Sequence, residues 1–260
     1  MAVDGISSVE EFITQVKREY NRWNTRDFPS FRGEPHSPTP LLPRLFREKN
    51  QDGSAHDENQ LLQFFRRKAP VLGLGCIPPR AEHTDEWLFL AQHVGLPTRL
   101  LDWTEGALVA LYFSLIEVKD NSEAPVVWML DPIELNRLSL PAGQIRDNEF
   151  PLTWDYRERL NIGTENFRCA WEQKRWGLAF PVAVQPTNIH PRMSSQKSCF
   201  TIHGTREECL TKLVPAEYLK KFEIDPNAIQ MLKDLRVLGI SHSSLFPDLD
   251  GLAKELGRIF

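Results

Sequence analysis

Gln92-His93-Val94-Gly95-Leu96-Pro97-Thr98-Arg99-Leu100-Leu101-Asp102-Trp103-Thr104 is the stretch on which the reading of this chain turns. An amide, an imidazole, a guanidinium, a carboxylate and an indole stand close together around a Gly-x-Pro corner. Packing alone does not need so many hydrogen-bonding groups beside a Leu-Leu pair, so the stretch is either a buried polar network or a ligand site. On its upstream side, Thr84 or Asp85 caps a helix carrying Trp87, Leu88, Leu90 and Ala91. That helix must end at Gly95-Leu96-Pro97, because Pro97 cannot continue it. Downstream, Thr104 is the expected N-cap of another helix, with Glu105 in its first turn and an apolar run from Ala107 to Ile116 that is buried on most sides. Thr98 to Trp103 thus reads as a bridge between two buried helices.

Further out, Ser8 and Glu11 form a capping box for a first helix whose apolar positions, Val9, Phe12, Ile13, Val16 and Tyr20, run to about Trp23. Phe28 to Glu34 reads as a short strand, expected at a sheet edge because of Pro29, and it presents Arg32 between an aromatic residue and a glycine. A second helix begins near Asp57 or Glu58 and carries Leu61, Leu62, Phe64 and Phe65. Between Leu61 and Ala81 stand four basic residues, Arg66, Arg67, Lys68 and Arg80, and no acidic one. Val126 to Leu130 and Phe180 to Val184 read as inner strands, and Cys199 to Ile202 and Leu210 to Val214 as two more. Near the end, Asp225 is the expected cap of a helix with Ile229, Leu232, Leu235 and Leu238 on its face, stopped by Gly239. Leu249 to Leu256 forms a last short helix. The pattern is α+β in a single domain over residues 1–260, with a helix-rich N-terminal half and a mixed or antiparallel sheet. It divides into a helical lead (1–27), the core motifs (28–204) and C-terminal strands and helices (205–260).

A hydrophobic content of 41% in 260 residues is enough for a proper core. The formal charge of −4 argues against wholesale electrostatic binding of nucleic acid and leaves only local basic surfaces for a polyanion. Cys76, Cys169, Cys199 and Cys209 form no Cys-x-x-Cys pair, the N-terminus does not read as a signal peptide, and no apolar run is long enough to cross a membrane. The expected setting is the cytoplasm, with reduced thiols. His190, Cys199, His203 and Cys209 match no common zinc-ligand spacing, so no metal is expected. The Gly-x-Gly-x-x-Gly fingerprint, the Walker loop and the Gly-x-Ser-x-Gly elbow are all missing, which removes the commonest nucleotide and hydrolase readings.

Three groups of residues could carry chemistry. Arg32 can grip a phosphate or carboxylate with its fork, while Gly33 lets a ligand or another backbone come close; the alternative is a structural arginine tied to an acid such as Asp102. His93 and Arg99 flank the Pro corner, and Asp102 can orient either by a hydrogen bond. Arg192 and Gln196 lie just before a strand, where a loop can aim them into a common site. Between Thr153 and Trp176 aromatic and basic residues interleave, as stacking on bases requires, but Asp155, Glu158, Glu165 and Glu172 nearly cancel the charge.

Phe31-Arg32-Gly33, Leu42-Pro43 with Arg47, Glu58 with Leu61-Leu62 and Phe64, the Gln92 to Thr104 stretch, and Arg192 and Gln196 with Phe200 together resemble the FRG domain, named for its first motif. Leu238-Gly239-Ile240 and Leu245 to Leu249 resemble its members too. The chain departs from the usual pattern at Glu34, where glutamine is common, and at Ser198, where glycine is. The order of elements is in turn similar to the ADP-ribosyltransferase fold, which implies that the sheet resembles an ADP-ribosyltransferase core and that NAD is a substrate. On that resemblance Arg32 holds the NAD diphosphate or ribose, and Gln196-Lys197-Ser198 takes the place of the catalytic motif. Ser198 then stands where a catalytic glutamate is expected, and Asp102, Glu165 or Glu172 would supply the carboxylate. The expected site has Asp102, His93 and Gln196 as catalytic residues and Arg32, Gly33, Thr98, Arg99 and Arg192 around the nucleotide. The implied function is an NAD-dependent ADP-ribosyltransferase-like enzyme with a DNA or RNA base as acceptor. The alternative is a non-catalytic nucleotide- or nucleic-acid-binding module in a defence or signalling system.

Overall fold

The two apolar runs beside the Gly-x-Pro corner form the helices that cover the sheet. The structure, a computed structural model, describes residues 5–23, 28–36, 39–72, 79, 84–118, 124–139, 180–186, 190–227 and 230–259. The aromatic and basic segment Thr153 to Trp176, with Glu165 and Glu172, lies outside these residues, as do Cys76 and Cys169. In chain order the helices are α1 (Val9–Tyr20), α2 (Arg44–Arg47), α3 (Glu58–Lys68), α4 (Thr84–His93), α5 (Ala107–Leu115), α6 (Pro132–Ser139), α7 (Pro191–Ser195), α8 (Leu210–Leu213), α9 (Gln230–Val237), α10 (His242–Leu245) and α11 (Leu249–Ile259). The strands are β1 (Ser30–Glu34), β2 (Leu100–Thr104), β3 (Val126–Leu130), β4 (Val182–Val184), β5 (Ser198–Ile202) and β6 (Leu219–Glu223). They form one sheet in the order β4-β5-β2-β1-β3-β6, with every neighbouring pair antiparallel. The class is α+β.

Several expectations from sequence are corrected. β1 is central rather than at an edge, because Pro29 sits just before the first paired residue and removes no ladder hydrogen bond. The bridge after the Pro corner is itself a strand, β2. Thr104 ends β2 instead of capping the next helix; its hydroxyl accepts the Gly106 N–H at 3.0 Å, and Gly106 is the N-cap of α5. Leu210 to Val214 is not a strand. Only one helical turn, α8, forms there, with Pro215 directly after it. Asp225 closes a turn onto the Asn227 N–H at 2.8 Å. The first helix ends at Tyr20, slightly earlier than the pattern indicated, and keeps its Ser8 cap on the Glu11 N–H at 3.1 Å.

Side chains opposite one another in a ladder share a face, and this sorts the core. On one face, Phe31, Val127, Met129 and Phe222 pack under α5, α1, α9 and α10. On the same face but towards the other end of the sheet, Leu100, Phe200, Ile202, Val182 and Val184 pack under α3, α4 and α7. Leu101, Trp103, Ala183, Cys199 and Leu130 point to the opposite face, against Leu41, Leu135 and Leu210. The outer edge of the sheet is closed by Asn136, whose amide donates to the Ala183 carbonyl (3.1 Å) and accepts the Ala183 N–H (2.7 Å) as another strand would.

Between the two groups of helices on the first face Asp102 is exposed and Thr104 beside it is buried, and both line one cleft. There the central strands also part. β1 and β2 share a single register pair, Phe31 with Thr104, whereas β1 has five with β3 and β2 five with β5.

Candidate functional site

Where β1 and β2 separate, Arg32 replaces the missing ladder bond: its Nη1 donates to the Asp102 carbonyl oxygen at 2.7 Å. Nε of the same guanidinium donates to Glu34 at 2.6 Å, and Nη1 lies 3.9 Å from the Asp102 carboxylate. Arg32 therefore bridges the two strands and places a positive charge beside Asp102. Gly33 serves the packing of α5. A Cβ there would meet the Ser114 nitrogen at 2.6 Å and the Ala110 carbonyl oxygen closer still, so the close approach is that of a helix backbone.

The Gly-x-Pro corner fixes the other side of Asp102. Gly95, at φ +90°, ends α4 in a Schellman arrangement, with Leu96 N–H on the Ala91 carbonyl (2.9 Å) and Gly95 N–H on the Gln92 carbonyl (3.0 Å). The chain then doubles back so that Thr98, fully buried, lies beside Gln92. The Thr98 hydroxyl accepts the Leu100 N–H at 3.1 Å and so must spend its own proton on Gln92 Oε1, at 2.5 Å. That fixes the amide the other way round towards the sheet: Gln92 Nε2 donates to Asp102 Oδ2 at 2.7 Å. One carboxylate oxygen is thus held, and 55% of the side-chain surface remains open. Protein surrounds the group closely enough that lost solvation raises its pKa, against the Arg32 charge and the Gln92 amide, which favour the anion.

Asp102 stands on the floor of a cleft of about 770 Å³, within the range of small-molecule sites. Arg32, Gly33, Gln92, His93, Arg192, Gln196 and Ser198 line it together with Asp102. Residues from distant parts of the chain, six of them expected from sequence, thus share one cleft. Thr98 and Arg99 do not line it. Thr98 works behind Gln92. Arg99 pairs with Glu58 at 2.6 Å and donates to the carbonyls of His203 and Gly204, tying α3 to the far end of β2.

His93 ends α4 with its ring 4.3 Å, centroid to centroid, from that of His190. Burial, then His190 and Arg192, lower its pKa to about 4, so it is neutral at pH 7. Its Nε2 has no hydrogen-bond partner. His190 accepts the Arg192 N–H on Nδ1 and caps α7. Arg192 in turn forks onto Asp248, with Nε at 2.7 Å, and lies over the Phe246 ring. Gln196 Nε2 and the Ser195 hydroxyl both donate to the Leu245 carbonyl, at 3.1 and 3.0 Å. The segment Arg192 to Gln196 is thus a latch that holds the C-terminal helices against the cleft.

Those helices form a wall that sequence reading missed. His242, Phe246, Asp250, Gly251, Lys254 and Arg258 all line the cleft. The resemblances at Leu238 to Ile240 and Leu245 to Leu249 were the signals that this part of the chain belonged with the rest. Gln92 was also passed over as a site residue, although it opened the decisive stretch. Among the described residues no group of three or more His, Cys, Asp or Glu side chains is placed to hold a metal.

Comparison with known families bears on this segment directly: the family model described as the FRG domain matches residues 29–123. Over that segment the chain is similar to the FRG domain. The FRG match takes in Arg32, Gln92, His93 and Asp102, and stops before β3, the latch and the C-terminal wall. Neither a curated protein nor a solved structure matches the chain. No helix among the described residues is long and apolar enough to cross a membrane.

Proposed function

We propose that the cleft binds a nucleotide of the NAD class and transfers its ADP-ribose group, with a nucleic-acid base as acceptor. The observation that carries this reading is the Asp102 carboxylate on the cleft floor, held on one oxygen by Gln92 and open on the other. In such a transfer the ribose–nicotinamide bond breaks, its electron pair leaves with the nicotinamide, and positive charge develops on the ribose. Asp102 Oδ1 faces that charge. The acceptor atom attacks the ribose carbon and gives up a proton, for which Asp102, with its raised pKa, is the receiving group. His93, neutral and with Nε2 buried without a partner, brings no charge to this part of the cleft.

The test uses the full chain with NAD labelled in the adenylate, and it reads both nicotinamide release and label on DNA, RNA and protein. Asp102→Asn is expected to lower turnover by about a hundredfold while the fold persists, because the amide keeps the shape and loses the charge. If no acceptor and no free ADP-ribose ever carries label, the transferase reading fails. One observation favours a second reading, nucleotide or nucleic-acid binding without turnover: Arg32, Arg192 and Gln196 are all engaged with protein groups. Binding of NAD without nicotinamide release would select it.

A further inference from the structure

Helix α11 places Lys254 and Arg258 on the cleft wall one turn apart. They differ from the other cations there. Arg32 is bonded to Glu34 and Asp102, and Arg192 to Asp248. Among the described residues no carboxylate lies within ion-pair distance of Lys254 or Arg258, although Asp250 and Glu117 line the same cleft. Arg258 bears instead on Tyr112, whose hydroxyl meets His242 Nδ1 at 3.0 Å. Both charges also bear on His242 and, after burial, disfavour its protonation. The C-terminal wall of the cleft therefore carries two cations held in no ion pair among the described residues, with Asp250 and Glu117 on the same cleft and Glu255 and Asp248 acting on His242 with the opposite sign.

We propose that Lys254 and Arg258 form the anion subsite of the cleft and take the diphosphate of a small nucleotide whose reacting end lies against Asp102. This rests on the nucleotide reading given above, and it moves the phosphates from Arg32 to the C-terminal wall. Four residues of helix separate the two cations by about 6 Å along the axis, a span that two bridged phosphates can meet with one cation each.

The experiment is titration calorimetry on the full chain with inorganic pyrophosphate, ADP, NAD and a thymidine oligonucleotide. It compares the wild type, the double variant Lys254→Ala with Arg258→Ala, and the swap Lys254→Arg with Arg258→Lys. Both side chains are exposed, so the variants are expected to melt like the wild type. Pyrophosphate and ADP are expected to bind, the alanine pair to weaken both by about tenfold or more, and the swap to retain most of the affinity. Unchanged affinity in the alanine pair, or no binding of pyrophosphate and ADP by the wild type, overturns the proposal. So does an oligonucleotide that binds through this pair more tightly than ADP. Nicotinamide release is read separately. Pyrophosphate held by the pair with no nicotinamide released removes the transferase reading and leaves the subsite. Release by the alanine pair at wild-type rate and KM removes the subsite and leaves the transferase.

Discussion

His203 gives a sharp test of how burial governs this fold. It is 1% exposed, neither ring nitrogen has a partner of hydrogen-bond geometry, and Phe46 lies against its ring. Burial lowers its pKa from 6.5 to about 4; the Glu208 backbone favours the charged form, and the Arg99 charge opposes it. The folded chain thus binds this proton less readily than the unfolded chain. Above pH 6.5 both states are neutral here and nothing is lost. As the pH falls below 6.5 the unfolded state takes up a proton that the folded state refuses, and stability declines until about pH 4, where the loss levels off. Each tenfold weakening of proton affinity is worth about 1.4 kcal/mol, so the full loss comes to about 3 kcal/mol, and about 2 kcal/mol is gone by pH 5. His93, also lowered to about 4, adds a loss of the same sign in the same window, so the wild-type slope alone does not isolate His203. Urea unfolding at pH 7 and pH 5 of wild type and His203→Gln does. The variant removes the titration and is expected to lose about 2 kcal/mol less than the wild type between the two pH values. Equal losses in the two proteins would refute the argument that this imidazole is held neutral.

Two other perturbations follow from the geometry around Asp102. Gly33→Ala forces a methyl group into the backbone of α5 and is expected to cost at least about 1–3 kcal/mol in urea unfolding, with the α5 amides losing exchange protection first. Thr98→Val leaves the buried Leu100 N–H unpaired and frees the Gln92 amide to turn its oxygen towards Asp102. It is expected to cost about 1–3 kcal/mol and to raise the Asp102 pKa in a carbon-13 carboxyl titration, whereas Thr98→Ser preserves both.

Much of the scaffold was legible because burial leaves a pattern. The apolar runs of α4 and α5, the Ser8 cap and the β3 run each mark an element from local residues alone. β2 escaped because Leu100 and Leu101 are covered on opposite faces, so no alternation distinguishes the strand from a linker. β6 escaped for a related reason: Lys220 and Lys221 interrupt a strand in which only Leu219 and Phe222 are buried. Edge placement of β1 failed because Pro29 is informative only if it lies inside the ladder. Of the site, the polar density from Gln92 to Asp102 was readable, and so was the link from Arg32 to Asp102. The engagement of Arg99 with Glu58, 41 residues away, was not, because nothing in either residue's neighbourhood names the other. The C-terminal wall was hidden for the same reason: Lys254 and Arg258 look like ordinary surface charges until α10 and α11 fold back onto the latch.

The parting of β1 and β2 also bears on how the chain can be cut. Within residues 29–123 those two strands share one register pair, while their long ladders run to β3 and β5, outside the FRG match. A fragment trimmed to the matched residues would keep the family's signature and expose two bare strand edges, an invitation to self-association. The sequence signature thus marks a seam between strands supplied by the rest of the chain, and the smallest piece able to fold around it extends at least to β5.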